Sequence, residues 1–227
     1  MSQSEQDSPA ADAEYERRGP LLLDRPVPGF TARSTLGPLS LEDYRGQWVI
    51  LFAHPADFTP VCTSEFVALQ RHYGEFRKRQ CALVGLSVDS IYSHVAWVRN
   101  IEEKFGVSIE FPIVEDISMS ISRAYGMLDE ASDSTATVRC VFFIDPEGIL
   151  RAKIFYPMQV GRSATEILRT LVALQSVDQF ERMATPEGWQ PGEALVPLAP
   201  TTLAEAEEAE AQAGAPAWYF STNGVLN

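Results

Sequence analysis

Trp48-Val49-Ile50-Leu51-Phe52-Ala53-His54-Pro55-Ala56-Asp57-Phe58-Thr59-Pro60-Val61-Cys62-Thr63-Ser64-Glu65-Phe66 decides how this chain is read. Its opening, Trp48 to Ala53, is an unbroken apolar run with the length of a buried strand. Beyond Cys62, the residues Phe66, Leu69, Tyr73 and Phe76 recur at the helical period and predict an amphipathic helix. A strand, a proline-bounded loop and a helix together place Cys62 in the helix's first turn. There the unpaired backbone N–H groups and the positive end of the helix dipole favour a thiolate. A helix N-terminus or a cationic neighbour brings a cysteine pKa from ~8.5 down to roughly 3.5–7.5. Cys62 is therefore the candidate nucleophile.

Outward from that stretch, strands and helices alternate. Pro28 to Ala32 reads as a short strand and Leu39 to Tyr44 as a helical turn. Ala82 to Val88 is a continuous apolar run of the kind found in strands covered on both faces. Ser90 or Ser93 caps a following helix with Val95, Val98, Ile101 and Phe105 as its apolar face, closed by Gly106. Pro112 to Val114 gives a third short strand, and Ser118 to Tyr125 a short helix stopped by Gly126. Thr137 to Ile144 and Ile149 to Tyr156, joined by Asp145-Pro146-Glu147-Gly148, form a hairpin. A helix from Ala164 to about Val177 carries Ile167, Leu168, Leu171 and Leu174 as its apolar residues. Parallel crossovers followed by a hairpin and a last helix predict an α/β fold of the thioredoxin type.

Three segments are expected. Residues 1–19 are polar and acidic and read as a flexible leader. Residues 20–180 form the main domain. Residues 181–227 form an extension, punctuated by Pro186, Pro191, Pro197 and Pro200. It carries an acidic, alanine-rich helix over Thr201 to Gln212. Its Trp218-Tyr219-Phe220 cluster, with Leu226, calls for burial on the domain or on a partner subunit.

A net charge of −13 and a pI near 4.6 exclude phosphate-backbone binding and an anionic membrane surface as partners. No run approaches the ~18 apolar residues of a membrane span, and the first residues lack the layout of a secretion signal. Cys62, Cys81 and Cys140 are widely spaced and odd in number, which suits a reducing, cytoplasmic setting rather than a disulfide framework.

A thiolate beside a developing oxyanion needs neighbours. Thr59 can turn its hydroxyl toward the sulfur and Pro55 stiffens the loop entrance. Arg139 sits in the otherwise core-like strand Thr137-Val138-Arg139-Cys140-Val141-Phe142-Phe143, where a charge is costly without a purpose. Arg162 is a second candidate cation. Strand alternation turns Cys140 away from whatever Arg139 faces, so Cys140, like Cys81, reads as structural. His54 could touch the catalytic loop or a neighbouring carboxylate. His72 and His94 read as surface or boundary residues, and no His/Cys/Asp set has metal-ligand spacing.

The motif Pro55-x-x-x-Thr59-x-x-Cys62, and the longer His-Pro-x-Asp-Phe-Thr-Pro-Val-Cys-Thr-x-Glu string, resemble the active site of peroxiredoxins of the one-cysteine, peroxiredoxin 6 type, which are AhpC/TSA-like thiol peroxidases. The similarity continues through Leu86-Ser87-Val88-Asp89-Ser90, Tyr156-Pro157, Gly161-Arg162, Glu166 to Arg169 and Ala184-Thr185-Pro186, covering about residues 20–200. It implies a thioredoxin-like fold with the family's insertions and a dimer-packing C-terminal extension. It also implies a Cys62 thiolate that attacks hydrogen peroxide or an organic hydroperoxide and becomes a sulfenic acid. By position, Thr59 and Arg139 would hold the peroxide, Pro55 would shield the sulfur, and Glu65 with Arg162 would orient Arg139. No metal or organic cofactor is implied; a homodimer, sometimes a ring of dimers, is.

Relatives with a resolving cysteine in the C-terminal segment differ from this chain, which has none after Cys140. A one-cysteine cycle with an external thiol is expected. The lipase activity described for some relatives is rejected, because Gln47 and Leu39 stand where its serine and histidine would be. A redox-regulated chaperone or peroxide sensor would use the same cysteine and is the alternative. A disulfide reductase is disfavoured because Cys62-Thr63-Ser64-Glu65 lacks the second cysteine.

Overall fold

The computed structural model describes residues 21–129, 131–211 and 217–220, so the expected leader, Leu226 and Gln212 lie outside the described residues. It divides into two compact units, one ending at Ala164 and the other starting at Thr165.

The first unit is built on a mixed sheet. In chain order its strands are β1 (Thr31–Ser34), β2 (Gly37–Ser40), β3 (Trp48–Ala53), β4 (Cys81–Ser87), β5 (Ile113–Glu115), β6 (Arg139–Ile144) and β7 (Leu150–Tyr156). They lie side by side in the order β2-β1-β5-β4-β3-β6-β7. β3, β4 and β5 run parallel, and β6 and β7 are an antiparallel pair added beside β3. This is the thioredoxin-type arrangement. The β1–β2 hairpin and its pairing with β5 were not legible from the sequence, because Gly37 and Pro38 break any alternation. Pro28 to Phe30 precede the first strand rather than belonging to it.

Both faces of the central strands are covered, which is why Trp48–Ala53 reads as a continuous apolar run: all six residues are buried. Val49, Leu51 and Ala53 share one core with Val84, Leu86, Cys140, Phe142 and Ile144. Phe52, one step out of phase, packs on the other face against Phe66 and Phe111. The crossover helices are α1 (Pro60–Lys78) and α2 (Ile91–Phe105), followed by the short α3 (Ser120–Ala124). Pro60 at the first position of α1 loses no hydrogen bond there. Ser90 caps α2, its hydroxyl accepting from the Ser93 amide, and Gly106 ends it at φ 65°, a left-handed conformation that glycine adopts without strain.

One expectation about α2 is corrected. Val95 and Phe105 are exposed; the buried stripe is His94, Trp97 and Ile101. The i, i+3, i+7 set wins because Trp97 buries more surface than Val95 or Val98 could.

The second unit holds α4 (Ala164–Gln179) from its second residue onward, the pair β8 (Met183–Ala184) and β9 (Val196–Pro197), and α5 (Leu203–Glu210). Val172, Trp189 and Leu195 form its small core. Arg169 ties this unit together by bonding Glu166 and the Trp189 carbonyl. Trp218, Tyr219 and Phe220 are exposed among the described residues, and Trp218 and Tyr219 meet edge to face.

Candidate active site

Thr59 ends the loop after β3 as the N-cap of α1, so Cys62 is the third residue of that helix. The loop is tied at both ends. The His54 amide donates to the Leu86 carbonyl and the Thr137 hydroxyl donates to the His54 carbonyl. The Thr63 hydroxyl donates back to the Thr59 carbonyl. Between these ties Phe58 takes φ 56°, a left-handed conformation costly for an aromatic residue, and its ring is exposed.

The Cys62 sulfur is fully enclosed and lies 3.2 Å from Arg139 Nη1, which donates to it. The same nitrogen donates to Glu65 Oε2 at 2.9 Å, and Arg139 Nε donates to the Met158 carbonyl at 2.8 Å. Glu65 stands one turn along α1 from Val61 and is buried. Its two oxygens also accept three bonds from Arg162: the amide at 2.7 Å, Nε at 3.0 Å and Nη2 at 2.7 Å. Arg162 Nη1 donates to the carbonyls of Ala53 and Cys140, and its guanidinium lies 5.4 Å from the Phe52 ring centre. Gly161 eases this approach: a Cβ there would stand 3.3 Å from Val61 Cγ1, and the valine would have to give by a few tenths of an ångström. Burial alone would raise the Glu65 carboxyl, but the hydrogen bonds and charge of Arg162, with Arg139 behind it, hold it below the usual carboxylate range.

The site thus gathers Cys62, Arg139, Glu65 and Arg162. Thr59 sits at the edge of it; its hydroxyl donates to the Ala56 carbonyl at 2.9 Å rather than to the sulfur, which leaves its lone pairs free to accept. Pro55 is buried in the loop between. Cys140 follows Arg139 but belongs to the core on the other face of the sheet. Burial pushes its thiol up to about 12 and pushes that of Cys81 higher still. All three cysteines are free.

Two expectations are overturned. His94 is not a surface residue; it is fully buried. The spacing that showed no ligand set in sequence concealed one in space: one ligand atom each from His54, Asp57 and His94 lie within 4.8 Å of one another. His54 Nε2 and His94 Nδ1 each stand 2.8 Å from a different Asp57 oxygen. Those are hydrogen-bond lengths between each imidazole and the carboxylate. Burial, opposed by Asp57, holds His54 below its ordinary pKa. Asp57 is held well below its own, the two imidazoles outweighing its burial. His94 was missed because a lone histidine on a helix carries no pattern of its own; its place three residues before Trp97 was the available signal.

A family profile described as the AhpC/TSA family matches residues 23–153. A peroxiredoxin of Thermoplasma volcanium is 46% identical over 201 residues, 88% of this chain and 98% of that one. The chain belongs to the peroxiredoxin family. A second relative, the peroxiredoxin of Aquifex aeolicus, is 54% identical over 170 residues, 74% of this peroxiredoxin and 76% of its own length. Among solved structures, a yeast mitochondrial 1-Cys peroxiredoxin superposes with a TM-score of 0.78 at 36% identity, covering 88% of this chain and 97% of that one. A peroxiredoxin 6 of Arenicola marina gives 0.78 at 32% identity, covering 91% and 99%. The protein is accordingly a thiol peroxidase. No described helix is long and apolar enough to cross a membrane.

Proposed function

We propose that Cys62 is the peroxidatic residue and that it runs a one-cysteine cycle completed by an external thiol. One observation carries this reading: Arg139 Nη1 donates to the sulfur at 3.2 Å from within a buried group of two guanidiniums and one carboxylate. Arg139 and Arg162 contribute two positive charges and Glu65 one negative, which leaves one positive charge to be balanced. A Cys62 thiolate balances it; a neutral thiol would leave it buried and uncompensated. A charge pair at 3.2 Å attracts by about 5 kcal/mol at an effective dielectric of about 20, before desolvation is subtracted.

The thiolate sulfur attacks one peroxide oxygen, an S–O bond forms, and the O–O bond breaks. Its electron pair leaves on the second oxygen, which takes up a proton as water or alcohol. Arg139 stabilises that developing oxyanion, and the lone pairs of Thr59 accept from the peroxide O–H. Pro55 closes the loop beside the sulfur, while Glu65 and Arg162 hold Arg139 in line. A thiol then condenses with the sulfenic acid, releasing water and leaving a mixed disulfide, and a second thiol releases Cys62. Cys81 and Cys140, buried and held as thiols, are poor partners for this step. The yeast relative is described as resolved through glutathione and thioredoxin systems, so these are the reductants to try. Free, buried cysteines suit a reducing cytoplasm. Phe155, exposed on the outermost strand β7, supports a homodimer, and a ring of dimers as a larger assembly.

Stopped-flow oxidation with hydrogen peroxide and an organic hydroperoxide, followed by mass analysis, tests the reading. A sulfenic acid at Cys62, and loss of turnover in Cys62→Ser with the fold retained, are expected. Turnover surviving in that variant refutes the assignment. A disulfide from Cys62 to Cys81 or Cys140 refutes the one-cysteine cycle, and slow oxidation with a change of size favours a sensor or chaperone.

A further inference from the structure

Helix α2 contributes two side chains to the Cys62 loop from outside the catalytic group, both on its buried stripe. Trp97 Nε1 donates to the Thr63 hydroxyl at 3.2 Å, which in turn bonds the Thr59 carbonyl. One turn earlier, His94 Nδ1 meets Asp57 Oδ2 at 2.8 Å, while His54 Nε2 meets Asp57 Oδ1 at 2.8 Å. The Asp57 carboxylate is almost wholly enclosed, its side chain 1% exposed. Among the described residues, these two imidazoles are the hydrogen-bond partners of its oxygens. The far nitrogens, His54 Nδ1 and His94 Nε2, have no hydrogen-bond partner among the described residues. For both imidazoles to donate to one carboxylate, His54 must carry its proton on Nε2 and His94 on Nδ1.

We infer that His94 is a positioning residue for peroxide reduction: by donating to Asp57 it fixes the tautomer and place of His54 and the left-handed turn at Phe58, and so the register of Thr59 and Cys62. This rests on the proposed role of Cys62. The turn is held on its other side by Asp89, whose Oδ2 accepts from the Asp57 amide at 3.0 Å and from the Ser87 hydroxyl at 2.7 Å. Without His94, one Asp57 oxygen is buried without a donor and the αL turn loses its anchor in α2. A loop displaced by about an ångström costs on the order of a hundredfold in rate.

The test is the second-order rate of Cys62 oxidation by hydrogen peroxide between pH 5 and 8 in wild type, H94N and H94L. The asparagine amide can donate from near the Nδ1 position; leucine cannot. H94L is expected to fall about ten- to a hundredfold, and H94N to stay within about threefold of wild type. The pH profile separates positioning from packing. The charged and titratable groups around Asp57 are His54 in its own loop, His94 from α2, Asp89 after β4, and Arg162 toward His54. Losing the His94 donor removes one of the contacts that hold the Asp57 carboxyl down, so Asp57 takes up a proton at higher pH. The H94L deficit should therefore deepen as pH falls, and that of H94N should not. A wild-type rate in H94L, or equal losses in both variants, overturns the inference while leaving the Cys62 reading intact. A wild type without Cys62 oxidation overturns both. If H94L does not fold, D57N, which removes the charge and keeps the shape, is expected to show the same slowing, and a full rate in D57N overturns the inference.

Discussion

Arg139 is asked to do three things with one planar group: to face a sulfur, to pair with Glu65 and to hold the Met158 carbonyl. A lysine carries the charge but cannot span those partners from a single ammonium. Arg139→Met, which keeps the volume and drops the donors, is expected to slow Cys62 oxidation about 100- to 1,000-fold, the range seen when one oxyanion donor is lost. Arg139→Lys is expected to fall between. Stopped-flow rates would show it, and a Met variant as fast as wild type would remove Arg139 from the oxidation step. At this scale the sequence was informative, because a guanidinium in an apolar strand is expensive and so announces itself. What it could not give was the pairing. Nothing in spacing says that Glu65 accepts from two arginines lying 74 and 97 residues away. Nor does it say that the Thr59 hydroxyl is engaged with Ala56.

Among the elements, strong local signals were read and weak ones were not. Phe66, Leu69 and Phe76 are buried on α1 as their period requires, and Gly106 ends α2 as a left-handed cap. The inward face of α2 was misjudged because Val95, Val98, Ile101 and Phe105 also satisfy a helical period; the choice between two overlapping stripes is made by what the sheet offers to pack against. His94 was lost with that choice. The Ser90 cap belongs to this scale. Its hydroxyl accepts from the Ser93 amide at 3.3 Å, so Ser90→Ala is expected to cost about 1 kcal/mol of stability. Urea unfolding would measure the loss, and an unchanged midpoint would show that the first turn of α2 gains nothing from the cap.

For the whole molecule, stability should depend on pH through its buried ionisable groups. His54 is depressed in the fold, so the unfolded chain gains a proton that the folded chain refuses once the pH drops below about 6.5. Asp57 and Glu65 are also depressed, so their contribution is complete above about pH 5 and is lost as pH falls through their folded values. The urea midpoint is expected to decline from about pH 6.5 downward and more steeply below about pH 4.5. A midpoint level from pH 7 to pH 4 would contradict this balance. The thioredoxin-type order of strands was readable because alternating apolar runs and helices leave few topologies. The second unit was less so, since its prolines and short β8–β9 pair carry little periodicity.

The complete enclosure of Cys62 has a cost in the other half of a redox cycle. A peroxide is small enough to slip to a sulfur held rigid under Arg139, but the thiol of a tripeptide or a protein is not. Turnover would then set contrary demands on one helical turn, which must stay wound while oxygen is delivered and fray when the reductant arrives. The ties from Thr63 to Thr59 and from Trp97 to Thr63 are the latch that such fraying has to release.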